Sequence, residues 1–324
     1  MDESLCRLIC CPDCNSGLAE KKGALECESC QNIFPLEDGI PLLFSQEMLK
    51  KPLYRAYRTQ YEEVSEETQE YYSRLTEYMN AGLLERLRCH FSDCRTTIRT
   101  WNSARKLARH LSTCIEFIGP TAGLTVLDLG ASEGMLLSAL DGYRVAFDIS
   151  ASHLKCITQE NISRTSGFAE KLPFKSAGFD VVVSTFLFEH ILKPEIIANE
   201  ITRVLKPSGR LILVVPFNEN PDRLFELGQY ESKDLIVEAH PRGDMKRRRP
   251  DTLHLRNFES VEDLTLFFPE LRLTKTNLCF YKRKRHLPKW FKRLLRPLRW
   301  APDSFKKALP SLFTPSLLQI EMTR

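Results

Sequence analysis

The chain has 324 residues, of which 43% are hydrophobic and 27% are charged. This composition is typical of a folded globular protein and excludes wholesale disorder and fibrous architectures. The length allows two domains, or one large domain with additions. No apolar run approaches the roughly 20 residues that span a bilayer, and no basic start followed by an apolar stretch indicates secretion. We therefore expect a cytoplasmic protein.

The net charge of +4 is unevenly distributed along the chain. Residues 241–324 carry 20 Lys/Arg and 8 Asp/Glu, a surplus of +12, whereas residues 1–240 carry the other 26 and 34, a net −8. A basic C-terminal quarter on an acidic body predicts an anionic partner for that quarter. The candidates are phosphate-bearing lipid head groups and nucleic acid.

The first 48 residues contain paired cysteines at the spacing of a metal site. Six of the 11 cysteines lie in the first 30 residues, in part as Cys-Pro-Asp-Cys and Cys-Glu-Ser-Cys. Without an export signal, metal binding is favoured over disulfides. Two such knuckles complete a tetrahedral four-sulfur zinc shell with no open position for water. A structural zinc is therefore predicted in a domain over residues 1–48, with the ligands Cys11, Cys14, Cys27 and Cys30.

Residues 49–104 are predicted to form a helical linker or lid, because they are rich in Glu, Arg and Tyr and contain few helix breakers. Tyr54, Tyr57 and Tyr61 recur at i, i+3 and i+7 and so share one helix face. Such a stripe is typical of packing, and a lid over a cofactor is the alternative.

A second set of metal-type residues follows. Its members are Cys89, Cys94, His110 and Cys114. Apolar residues between 101 and 118 recur at helical spacing, which places the last two of the set one turn apart on a helix. We favour an ordinary helix here over a second metal site.

Residues 105–282 alternate between short apolar strands and segments of helix length. The strands are predicted at 125–130, 145–150, 179–184 and 211–216, and a helix is predicted to start at 135–140. This alternation predicts an α/β domain with a doubly wound, mostly parallel sheet and a ligand at the carboxyl ends of its strands.

A glycine loop, Asp128-x-Gly130-x-x-x-Gly134, directly follows the first of these strands. Gly130 permits a close backbone approach, and Gly134 permits tight packing. A phosphate site would avoid the Asp128 carboxylate, which suits a cationic ligand such as the amino group of a methionine moiety. Asp148 ends the second strand, where an acid accepts hydrogen bonds from ribose hydroxyls.

These motifs resemble the class I S-adenosylmethionine (SAM)-dependent methyltransferases, particularly the family of ubiquinone and menaquinone biosynthesis enzymes. The resemblance covers residues 105–217 and includes Gly167–Phe174, Glu189-His190 and the segment 200–209. It implies a Rossmann-like fold and SAM as cofactor. The implied cofactor-binding residues are Asp128, Gly130, Ala131, Ser132, Gly134, Asp148, Ile149, Phe168, Ala169 and Glu170.

The N-terminal stretch from Leu5 to Phe44 resembles a second family, the small zinc ribbons found beside or fused to methyltransferases. This resemblance rests on the two cysteine knuckles and on the segment Phe34–Pro41.

The methyltransferase motifs show two departures from the family pattern. Phe168 replaces the Asp that binds the adenine amino group, and Phe186 replaces the first Glu of a Glu-x-x-Glu-His metal motif. Adenine recognition is then expected to rest on backbone groups near Ala169 and on stacking, without a catalytic metal.

Two histidines are candidate catalytic bases, because imidazole is best suited to take a proton near neutral pH. His190 follows the fourth strand. His254 lies in the segment 251–258, which resembles a recurring segment of the methyltransferase family that caps the acceptor pocket. For each of them a hydrogen-bonded structural role is the alternative.

The C-terminal extension, residues 283–324, is basic and amphipathic. Residues 287–300 combine an aromatic-aliphatic helix face with a cationic one, which is typical of a helix lying on an anionic membrane surface. Docking on the protein's own core is the alternative.

We therefore expect a SAM-dependent methyltransferase that acts on a small-molecule or lipid-linked acceptor of glycolipid, polysaccharide-precursor or quinone type. It would be cytoplasmic, with peripheral attachment to the inner face of a membrane. The alternatives are an rRNA or tRNA base methyltransferase, disfavoured by the few basic residues of the N-terminal domain, and a non-catalytic scaffold.

Overall fold

The computed structural model describes residues 2–59, 61–62, 82, 108–191, 193–217, 256, 258–280, 282–283, 303–309 and 312–324. The chain forms two compact units, Met1–Lys175 and Ser176–Arg324. The predicted features that lie outside the described residues are most of the helical linker or lid 49–104, His254, the Cys89 and Cys94 pair, and the amphipathic segment 287–300.

The first unit begins with a small antiparallel domain. Helix α1 (Glu3–Leu8) is capped by Asp2, whose side chain accepts from the backbone N of Ser4. Four short strands follow and pair in chain order, and a short helix, α2, comes after them. The strands are β1 (Leu18–Lys21), β2 (Ala24–Cys27), β3 (Ile33–Glu37) and β4 (Ile40–Pro41), and α2 spans Gln46–Leu49.

The strands of the mostly parallel sheet run in the order β5-β6-β7 in the first unit and β10-β13-β9-β8 in the second. In the first unit, β5 pairs with β6 and β6 with β7 in parallel. In the second unit, β8 and β9 are parallel, and β13 is antiparallel to both β9 and β10. These strands are β5 (Thr125–Leu129), β6 (Tyr143–Asp148), β7 (Ile162–Ser166), β8 (Phe179–Thr185), β9 (Leu205–Pro216), β10 (Arg272–Cys279) and β13 (Leu317–Thr323).

The central strands are continuous apolar runs because both faces of a parallel sheet are covered. Val126, Leu127 and Leu129 of β5 have no exposed surface, and the same holds for Val181–Val183 of β8. The predicted α/β fold class with a doubly wound, mostly parallel sheet is confirmed.

The remaining described elements are helices and one small hairpin. Helix α3 covers 52–59 and α4 covers 108–118. The predicted helix around His110 and Cys114 is therefore present in α4. The other helices are α5 (Ala151–Lys155), α6 (Pro194–Val204), α7 (Glu262–Thr265) and α8 (Asp303–Lys307), and a small hairpin pairs β11 (Lys282–Arg283) with β12 (Phe313–Thr314).

The prediction of a helix starting at 135–140, after the glycine loop, is wrong. The chain forms only a single 3-10 turn at Leu137–Ala139, and Leu140 is already extended. The reason is the length of the connection, because β6 starts at Tyr143 and the chain must first reverse at Gly142. That glycine has φ +85°, and a Cβ there would lie 2.4 Å from the carbonyl oxygen of Leu124.

The boundary predicted at residue 282 also needs a correction. Strand β13, at 317–323, lies between β9 and β10, so the predicted C-terminal extension 283–324 contributes a strand to the sheet. This strand is apolar although a basic run precedes it in the sequence. Its residues Leu318, Ile320 and Met322 have no exposed surface. Among the helices that the structure describes, none is long and apolar enough to cross a membrane.

Candidate functional site

The four predicted zinc ligands lie together. One sulfur atom from each of Cys11, Cys14, Cys27 and Cys30 lies within 4.8 Å of every other. The Sγ atoms of Cys11 and Cys30 are 3.6 Å apart, and those of Cys14 and Cys27 are 3.4 Å apart. Four thiols from two knuckles are the donor set that tetrahedral structural zinc prefers. The residues therefore fit the metal.

Thiolate formation in this cluster is uneven. Hydrogen bonds from Ser16 are the largest influence on Cys14 and lower its pKa to about 6. Burial raises the pKa of Cys11 far above its usual value. A bound divalent ion would draw the proton from both thiols, because zinc binds the thiolate form.

The glycine loop is held against the end of β6. The backbone N atoms of Gly130 and Ala131 both donate to the carbonyl oxygen of Phe147, at 2.9 and 3.0 Å. Gly134 has φ +69°, and a Cβ there would lie 2.7 Å from Cδ1 of Ile157. Gly134 therefore meets the predicted need for tight packing, and Gly130 has φ +84°, a conformation that favours glycine.

Asp148 ends β6 and organises this loop. Its Oδ2 accepts from the backbone N of Ser132 at 2.9 Å, and its Oδ1 accepts from the backbone N of Ser150 at 2.9 Å. Ser150 in turn caps helix α5 through its hydroxyl. Each carboxylate oxygen keeps acceptor capacity beyond its one bond, so the side chain can also accept from ligand hydroxyls.

Asp128 is the least satisfied polar group of the site. It is 1% exposed, and its Oδ1 has no hydrogen-bond partner among the described residues. Burial, and then the neighbouring Asp148 carboxylate, raise its pKa to about 7. A buried acid without a donor is unfavourable in the free protein, and an ammonium group would satisfy it. This orphaned atom fits the amino group of SAM.

The predicted adenine segment is a 3-10 turn, Ala169–Lys171, preceded by Phe168. The Phe168 ring is 1% exposed and makes edge contacts with Phe44 at 5.0 Å and Tyr54 at 5.3 Å. Its surface is therefore occupied by protein. The backbone groups of this segment, rather than that ring, remain for a ligand.

Helix α3 brings Tyr57 near Glu170 and Asp148. Burial, followed by Tyr61, Glu170 and Asp148, raises the pKa of the Tyr57 phenol well above its usual value. The ring of Tyr57 packs edge-on against Tyr61 at 4.8 Å and stays partly exposed. Tyr54 of the tyrosine stripe is buried, which agrees with the packing alternative.

Sequence reasoning missed the role of Glu62. Its Oε1 accepts from the backbone N of Ser152 at 3.1 Å and from the hydroxyl of Ser152 at 2.6 Å, at the start of α5. The contact joins residues 90 positions apart, and no local pattern encodes it. Ile149, a predicted cofactor contact, lies between Asp148 and Ser150 and accepts from the Ser166 hydroxyl at 3.1 Å through its carbonyl.

The catalytic candidate His190 belongs to the second unit. It follows β8 in a turn, its backbone N donates to the carbonyl of Leu187, and its Nε2 is 3.9 Å from Oε1 of the buried Glu189. Nη1 of Arg256 donates to the carbonyls of Phe188, at 3.0 Å, and Ile191, which anchors both sides of this turn.

Comparison with known proteins assigns the central domain. A family described as a methyltransferase domain matches residues 127–213. The uncharacterized protein YafE of Escherichia coli K12 is 31% identical over 164 residues, which cover 47% of this chain and 70% of that protein. A demethylmenaquinone methyltransferase of a Mycobacterium species, strain KMS, is 32% identical over 128 residues. That match covers 39% of this chain and about half of the relative, 53%.

Two solved structures give further likenesses. A putative methyltransferase from Bacillus halodurans has a TM-score of 0.43 at 17% identity and covers 66% of this chain and 97% of its own. The YcgJ protein of Bacillus subtilis has a TM-score of 0.42 at 19% identity, with 67% and 98% covered. Given the matched domain, the extent of the E. coli match and the site around Asp128 and Asp148, this chain belongs to the class I SAM-dependent methyltransferases.

Proposed function

We propose that the first unit binds SAM with its amino group at Asp128 and its ribose at Asp148. The observation that carries this proposal is the orphaned, buried Oδ1 of Asp128. Gly130 lets the loop approach the ligand closely, Gly134 lets the loop pack against Ile157, and backbone groups of 168–170 face the adenine. Bound SAM supplies a methyl group on a sulfonium, and the protein contributes alignment and exclusion of water.

The acceptor we propose is a small or lipid-linked molecule of the quinone type, with glycolipid and polysaccharide precursors as members of the same class. Two observations support it. The mycobacterial relatives are named for methylation of demethylmenaquinone, and the basic residues of 281–300 with their apolar neighbours match an interfacial segment. Peripheral binding to the inner face of a membrane follows from the same proposal.

For a hydroxyl acceptor, we propose His190 as the base that takes the proton, with His254 as the alternative. The turn around His190 is fixed by Arg256, and the nearby Glu189 carboxylate would stabilise an imidazolium once it formed. A fixed imidazole at the end of a sheet strand is suited to general-base catalysis.

The four-cysteine cluster is proposed to hold one structural zinc. All four ligand positions are protein thiols, so no position is left for a substrate. The ribbon has only 48 residues and a small core, and the metal would supply part of its folding free energy.

A second candidate function is methylation of an RNA base. The observation that favours it is the surplus of +12 in residues 241–324. The ribbon itself contributes few basic residues for a nucleic-acid surface. We therefore place RNA second.

The Asp128→Asn substitution tests the cofactor site. Losing one charge-assisted hydrogen bond of about 1.5–3 kcal/mol should weaken SAM binding by about 10- to 100-fold.

The pH dependence of SAM binding by the wild type tests the same carboxylate. Asp128 is mostly neutral below pH 7, so SAM affinity should rise about tenfold between pH 6.0 and 7.5 and then level off. Isothermal titration calorimetry at both pH values measures this.

The control for that experiment is Asp141→Asn, an exposed acid in the turn before β6. It should leave both the affinity and its pH dependence unchanged. In the folded, ligand-free protein, the pKa of Asp128 is raised to about 7. Rising pH therefore lowers the free energy of unfolding from the usual pKa of an aspartate up to about pH 7, because the unfolded chain loses this proton first. Asp128→Asn should therefore not lower the melting temperature. Wild-type affinity and a wild-type pH profile in Asp128→Asn would contradict the site assignment.

The Cys27→Ser substitution tests the metal. Because a serine hydroxyl does not replace a thiolate ligand, the zinc content measured by atomic emission should fall from about one ion per chain towards zero. The matched control is Cys6→Ser, since Cys6 is exposed and lies outside the cluster. Equal zinc content in both variants would refute the four-cysteine site.

Transfer of labelled methyl groups from SAM tests the acceptor class. Purified full-length protein is incubated with membrane lipid extract and, separately, with total RNA, and label is counted in each. We expect label in the lipid extract, lost in Asp128→Asn and reduced in His190→Gln. Label in RNA alone would favour the second candidate, and a chain that binds no SAM would be a scaffold.

A further inference from the structure

The ribbon pairs with the sheet directly beside the proposed adenine segment. The backbone N of Leu43 donates to the carbonyl of Ser166 at 2.7 Å, and Leu42 and Ser166 form a parallel bridge. The Thr165 hydroxyl donates to the carbonyl of Pro41 at 3.1 Å. A Cβ on Gly167 would lie 2.8 Å from the Leu43 carbonyl oxygen. The chain entering the segment 168–170 is therefore fixed by the chain leaving the ribbon.

Asp13 connects this pairing to the metal knuckles. It lies between Cys11 and Cys14, and its Oδ2 accepts from Nδ2 of Asn32 at 2.8 Å, just after the second knuckle. The same carboxylate accepts from the hydroxyl of Ser45 at 2.5 Å and from the backbone N of Gln46 at 3.0 Å. One side chain thus ties both knuckles to the start of α2.

Phe44 carries this connection to the proposed cofactor site. It immediately precedes Ser45, and its ring contacts Phe168 at a centroid distance of 5.0 Å. The guanidinium of Arg58, on helix α3, lies 4.1 Å above the same ring. Phe44 therefore packs against both the adenine segment and helix α3.

We propose that Asp13 is a positioning residue, through which the metal-bound ribbon holds the segment 168–170 in the conformation that binds SAM. The inference rests on the proposed SAM site and adds a coupling between that site and the zinc cluster. Zinc occupancy and SAM affinity are linked, although the metal touches neither the cofactor nor the acceptor.

The physical reason is the cost of ordering a loop. A segment that is already fixed loses less conformational entropy when a ligand binds. The protein therefore binds the ligand with higher affinity. Removing the Asp13 carboxylate would leave the hydroxyl of Ser45, which has no exposed surface, and the backbone N of Gln46 without their acceptor. The start of α2 would shift to regain partners, and Phe44 would no longer be fixed against Phe168.

The test uses zinc-loaded protein and five variants: two that interrupt the connection, their combination, the conservative Asp13→Asn change and a control. Asp13→Ala removes the acceptor, and Phe44→Leu removes the ring contact at a site well outside the cysteines. The control, Glu26→Gln, removes a ribbon carboxylate whose contact is the hairpin bridge to Lys21 at 3.2 Å. Zinc content, SAM affinity by calorimetry and hydrogen exchange of residues 166–172 are measured for each.

We expect Asp13→Ala and Phe44→Leu to keep about one zinc per chain, to bind SAM about tenfold more weakly and to lose exchange protection at 166–172. Asp13→Asn, which keeps one acceptor oxygen, should recover part of the affinity. The Asp13→Ala/Phe44→Leu double variant should bind SAM with the same affinity as whichever single variant binds it more weakly, since both changes interrupt one connection. The control should match the wild type.

Wild-type SAM affinity in zinc-loaded Asp13→Ala overturns the proposal. If Asp13→Ala loses its zinc, Phe44→Leu decides, and wild-type affinity there overturns the proposal equally. A wild-type protein that does not bind SAM refutes the proposed function instead, so the two failures are distinguishable.

Discussion

The proposed SAM site of the first unit depends on two carboxylates at the ends of adjacent parallel strands. Asp148 accepts from two backbone N–H groups, whereas the Oδ1 of Asp128 is buried without a donor in the described residues. Proximity to Asp148 adds to the burial that raises the pKa of Asp128 to about 7. Such an arrangement costs stability in the free protein, and it is retained where a ligand supplies the missing partner. In the proposed site, the cationic amino group of SAM supplies that partner.

The surroundings of this pair come from distant parts of the sequence. The glycine loop closes onto β6, Glu62 supports the start of α5, and the ribbon pairs with the end of β7. Because β7 is the outer strand of the sheet, this pairing also covers part of an otherwise open edge. The ribbon is thus part of the scaffold of the first unit. Within that unit, backbone contacts join the small antiparallel domain, with its four-cysteine cluster, to the parallel sheet that carries the proposed SAM site.

Features with a local physical cause could be predicted from the sequence. Continuous apolar runs predicted β5, β6, β8 and β9, and the CxxC spacing predicted a four-cysteine cluster. The special conformations of Gly130 and Gly134 followed from their places after a strand. Features that depend on chain length or distant pairing could not. The connection after Gly134 is too short for a helix, strand β13 follows a long basic stretch, and the contacts of Asp13, Phe44 and Glu62 have no sequence period.

The charge on Asp128 is the central claim, and proton exchange during SAM binding tests it most directly. Calorimetry at pH 6.5 in buffers of different ionisation enthalpy counts the protons released per SAM bound. A carboxyl that is largely neutral in the free protein and becomes charged against the ammonium group should release roughly 0.7 proton. The Asp128→Asn variant should release none. Tight wild-type binding without proton release, or equal release from the variant, would contradict the account.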